Sequence, residues 1–68
     1  MNAQQNNMFV VGARFKMSKL GRQRLPYFAN KTGTVFEVSL RTTGIIILFD
    51  GAKRSTVLHR DYIAPLSE

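Results

Sequence analysis

The sequence predicts an all-β domain in which five short strands close into a small barrel. Three observations carry that prediction. Apolar residues alternate with polar ones or form runs of strand length, as where Ala13, Phe15 and Met17 alternate with Arg14, Lys16 and Ser18. Glycine, proline and an Asp-Gly pair divide these runs at short intervals. No segment has the length and 3.6-residue period of an amphipathic helix.

The elements follow in order. The first strand lies between Val11 and Ser18, apolar on one face and basic on the other, with Gly12 at a turn or bulge where it begins. A long first loop comes next, Lys19 to Gly33, reading KLGRQRLPYFANKTG. Gly21 and Pro26 are expected to break regular structure there. Leu25 is held extended by the proline after it, and Asn30 to Gly33 reads as a turn. Thr34 to Leu40, rich in β-branched and aromatic residues, is the second strand. Arg41 to Gly44 is a hairpin loop with Gly44 in the left-handed position. Ile45 to Asp50 is the third strand, Asp50-Gly51 opens a turn, and Ser55 to His59 is the fourth. Arg60 to Tyr62 forms one 3₁₀ turn, and Ile63-Ala64 is a closing strand ended by Pro65. Closing such a sheet on itself removes its exposed edges.

The 68 residues allow one small domain, expected over 9–68 behind a disordered leader at 1–8. The longest apolar run, Ile45 to Phe49, is far short of the ~18–20 residues of a membrane span, so no membrane partner is expected. There is no cysteine and His59 is the single histidine, so no metal or other cofactor is expected and a cytoplasmic location fits.

Charge is the most informative property. The net charge is +6, and six of the ten basic residues fall between positions 14 and 31 with no acid among them. Arg14, Lys16, Lys19, Arg22, Arg24 and Lys31 therefore form the one-signed surface that a phosphate backbone requires, rather than the mixed surface that serves solubility alone. Tyr27 is a candidate for stacking on an unpaired base, while Phe28 is expected to fold back over the barrel end. On the third strand Ile45, Ile47 and Phe49 point one way and Ile46 and Leu48 the other. Ile46, Leu48 and Phe36 are expected to form an apolar self-association patch. Glu37, Asp50, Asp61 and Glu68 are scattered, Asp50 serving its turn and Asp61 capping the turn before Tyr62. His59 is expected at the surface or in a hydrogen bond, and no catalytic pair is visible, so no enzyme is expected.

The segments VGARFKMSKLGRQR, NKTGTVFEV, IIILFDGAKR and VLHRDYIAPL, taken in this order, resemble the SH3-like small barrels, in particular their KOW-like branch. The resemblance covers residues 11–66. It implies a five-stranded SH3-like barrel, and partners that in this group are RNA, DNA, protein surfaces or peptides. The leading expectation is a non-catalytic module that binds DNA or RNA with tolerance of sequence. The alternative is a protein-interaction or homo-oligomerisation module. The plasmid-type dihydrofolate reductases are also oligomeric SH3-like barrels, with a Val-Gln-Ile-Tyr stretch on the pore strand. The nearest segment here is Val57-Leu58-His59-Arg60, which keeps the Val and lacks the Gln and Tyr, so that activity is the weaker alternative.

Overall fold

A computed structural model describes residues 9–39 and 41–66. The leader expected over 1–8 lies outside the described residues, as do Leu40 and positions 67 and 68. Five strands form one antiparallel sheet: β1 (Arg14–Met17), β2 (Thr32–Val38), β3 (Gly44–Phe49), β4 (Thr56–His59) and β5 (Ile63–Pro65). Their order is β4-β3-β2-β1-β5, so β1 pairs with both β2 and β5. The expected 3₁₀ turn, Arg60–Tyr62, carries the chain from β4 to β5. This arrangement is compatible with an SH3-like fold.

One buried cluster draws side chains from every strand: Phe15 and Met17, Val35, Ile45, Ile47 and Phe49, Leu58, and Ile63. In a flat sheet the two outer strands of five would stand roughly 19 Å apart, four spacings of ~4.8 Å. Leu58 on β4 and Ile63 on β5 nevertheless share the same core, so the sheet curls around it. The alternation read on the first and third strands is observed: β1 buries Phe15 and Met17, and β3 buries Ile45, Ile47 and Phe49.

The first loop differs from expectation. It contains a six-residue helix, α1 (Lys19–Arg24), and a second 3₁₀ turn, Pro26–Phe28. So short a helix does not hold itself in water, and here tertiary contacts hold it. Ser18 caps it, its hydroxyl accepting from the Gly21 N–H at 3.0 Å and donating to the Asp61 carbonyl at 2.6 Å. The Ser18 N–H also donates to the Tyr62 carbonyl at 2.9 Å. Gly21 is not a breaker. It is buried where the helix meets the Arg60–Tyr62 turn, and a Cβ there would overlap the Tyr62 carbonyl oxygen.

Other corrections are local. Thr32 and Gly33 belong to β2 rather than to a turn, since Gly33 is paired with Phe15 and Phe49. Asp50 lies in the turn just beyond β3. Gly44 is a strand residue opposite His59, and the left-handed glycines are Gly12 and Gly51, with φ of 93° and 86°. Asp61 does not cap its turn. The His59 side chain does, its Nδ1 accepting from the Asp61 N–H at 3.0 Å.

Candidate nucleic-acid interface

The six cationic candidates are all exposed but are not equivalent. Arg14 and Lys16 project from the outer face of β1, as their alternation with Phe15 and Met17 requires. Arg14 is already occupied. Its two terminal nitrogens donate to the two carboxylate oxygens of Asp50 at 2.8 and 2.7 Å, and one of them also reaches Thr34 Oγ1 at 3.1 Å. Asp50 accepts a further bond from Thr32 Oγ1 at 2.8 Å. The hydrogen bonds from Arg14 and then Thr32 hold the Asp50 carboxyl down at about 2, and the same pairing raises Arg14. Asp50 balances the Arg14 charge and takes the fork formed by its two terminal nitrogens. The offered charge therefore narrows to Lys16, Lys19, Arg22, Arg24 and Lys31.

Among the described residues none of these five makes an ion pair. Lys19, Arg22 and Arg24 ride on α1, whose backbone position is fixed by Ser18 and by the close approach at Gly21. Arg22 is partly anchored, one terminal nitrogen donating to the Met17 carbonyl at 3.1 Å. Lys31 follows the second 3₁₀ turn, its N–H bonded to the Phe28 carbonyl at 2.9 Å. These charges therefore sit on a folded platform rather than a loose loop.

The two aromatics of this segment divide as expected for Phe28. It packs on the core, stacked on Phe49 with ring centroids 4.7 Å apart at 27°. Tyr27 is 87% exposed and meets Phe28 edge-on, at 5.7 Å and 74°.

The self-association candidates lie on the outer face of the sheet. Phe36 is 58% exposed, while Ile46 and Leu48 are half-buried. A bulge between Val35 and Glu37 places two successive exposed residues, Phe36 and Glu37, where alternation would allow one. Val57, 65% exposed and directly opposite Ile46, completes this face and is absent from the candidates the sequence offers. The alternation of β4, with Leu58 inward, is the signal that places it there. Val10 and Val11, exposed in the turn before β1, are likewise unanticipated.

Among the described residues no group of three or more His, Cys, Asp or Glu is placed to hold a metal ion. No helix there is long and apolar enough to cross a membrane. Comparison of the chain with protein-family models, with curated proteins and with solved structures finds no match.

Proposed function

We propose that this protein is a non-catalytic nucleic-acid-binding module that grips the phosphate backbone with little regard to sequence. One observation carries the reading. Five exposed cations without ion-pair partners among the described residues lie between positions 16 and 31, on one strand and one folded insert. Each phosphate such a cation neutralises releases condensed counterions, so affinity falls as salt rises. The resemblance to KOW-like barrels adds nucleic acid as a partner class. The test is a salt titration of binding to short DNA and RNA of unrelated sequences. A double Arg24→Ala, Lys31→Ala variant is expected to melt like the parent, to bind all sequences more weakly by a similar factor, and to lower the salt slope by about one unit per lost contact. Absence of salt-dependent binding to either polymer defeats the reading.

A second reading rests on a different face. Phe36 and Val57 expose apolar surface on either side of Ile46, and Glu37 stands opposite Ile46 with no ion pair among the described residues. A second copy of this chain is the occupant that fits. It brings matching apolar surface and, with ten basic residues, ready partners for Glu37.

A further inference from the structure

Tyr27 is the most exposed large hydrophobic residue described, and its ring meets Phe28, which packs on the core. Four aromatic rings run in sequence from the core to the surface. Phe15, fully buried, lies 5.7 Å from Phe49, Phe49 stacks on Phe28 at 4.7 Å, and Phe28 meets Tyr27 at 5.7 Å. The backbone beneath Tyr27 is equally constrained. Successive bonds run from Leu25 N to Gly21 O, Phe28 N to Leu25 O, Ala29 N to Pro26 O and Lys31 N to Phe28 O, at 2.7, 2.9, 3.1 and 2.9 Å. Pro26 fixes its own φ at the first position of the turn. An aromatic ring left in water gains nothing for folding, yet here the core supports it. The backbone beneath it is already ordered before a ligand covers it, which lowers the entropy lost on binding.

We infer that Tyr27 is a stacking platform for one unpaired base, which makes single-stranded nucleic acid the substrate class of the cationic surface. The inference rests on the phosphate-binding reading and adds strandedness to it. In a duplex both faces of each base are covered by its neighbours, and a protein ring reaches one only by forcing a step apart, which is costly. In a single strand the base faces are free, and every base offers a π-face, so stacking is tolerant of sequence. Arg24, three positions before Tyr27, and Lys31, four positions after it and tied by its backbone to Phe28, are the cations nearest to it along the chain and supply charge for the adjoining phosphates.

The test compares Tyr27→Ala and Tyr27→Phe with the parent at one fixed salt concentration. The probes are a labelled deoxythymidine oligomer, the same oligomer with abasic sites throughout, and a duplex of equal charge. Tyr27→Ala is expected to weaken binding to the thymidine strand by about 5- to 150-fold and Tyr27→Phe to restore it, the range that base–aromatic stacking supplies. Binding of Tyr27→Ala to the abasic strand and to the duplex is expected to match the parent. Equal loss on all three probes, or no loss on the thymidine strand, overturns the stacking inference while salt-dependent binding still upholds the phosphate reading. No salt-dependent binding of the parent to any probe defeats both, as does capture of an extended uncharged peptide through Tyr27 with no affinity for the oligomers.

Discussion

The insert between β1 and β2 and the outer face of β2–β3–β4 both hold large apolar side chains in water, and they do so in opposite ways. In the insert one ring, Tyr27, is exposed among cations and is braced through Phe28 by the core. On the sheet face Phe36 and Val57 lie beside half-buried Ile46, with Glu37 the charge standing opposite it. A single ring on a segment whose charges are all positive suits a polyanion with flat bases. A cluster of aliphatic and aromatic groups with an acid beside it suits another protein surface. The company an exposed apolar group keeps, more than its area, distinguishes the two.

The insert is most sensitive to substitution at Gly21. Gly21→Ala places a methyl group against the Tyr62 carbonyl, and overpacking of this kind costs about 1–3 kcal/mol. Urea melts are expected to show that loss. Oligonucleotide binding is expected to fall with it as α1 shifts, and a variant of unchanged stability and affinity would show that the insert needs no fixed seat. The sheet face gives a smaller thermodynamic effect and a clearer assembly readout. Phe36→Lys with Val57→Lys is expected to melt within about 1 kcal/mol of the parent, both sites being exposed. In sedimentation at increasing concentration the parent is expected to self-associate and the variant to remain monomeric. A parent that stays monomeric removes the second copy as the occupant of that face.

The smallest effect concerns the Arg14–Asp50 pair, which joins β1 to the turn after β3. Folding depresses the Asp50 carboxyl from 3.8 to about 2, so its contribution to stability is complete above about pH 3.8 and is lost as pH falls through about 2. Both side chains are half exposed, which keeps the contribution small. Thermal melts of the parent and Asp50→Asn are expected to run parallel from pH 7 to 4 and to converge between 3.8 and 2. Curves that stay parallel down to pH 2 would show that the carboxylate has no favoured charged state in the fold.

Most of the sheet was legible because β1 and β3 carry a clean period of two, and burial follows that period directly. The insert was not. A six-residue helix is shorter than two turns, so it has no room to repeat an apolar pattern, and Gly21 and Pro26 carry the composition of a breaker. Ser18 was available as an N-cap signal. What makes Gly21 acceptable is the Tyr62 backbone, which no local pattern reveals. The bulge at Phe36 and Glu37 has the same origin, because one extra residue in a strand looks like ordinary sequence until its partner is known. Of the cationic candidates, the positions and the one sign of charge are readable from the sequence alone. The engagement of Arg14 by Asp50 is not, since it spans 36 positions.

The partners of Ser18 bear on the order in which the molecule is assembled. Its hydroxyl reaches the carbonyl of Asp61, 43 positions further along, and its N–H reaches Tyr62. On a ribosome the β2–β3 hairpin has every residue it requires while those anchors are still unsynthesised, and contacts of such wide separation are slow to form. The platform that carries Lys19, Arg22 and Arg24 is therefore seated in the final stage of folding. A nascent chain that has not yet emerged past Tyr62 presents its cations unarranged, and the grip on a strand proposed above requires completion of the sheet.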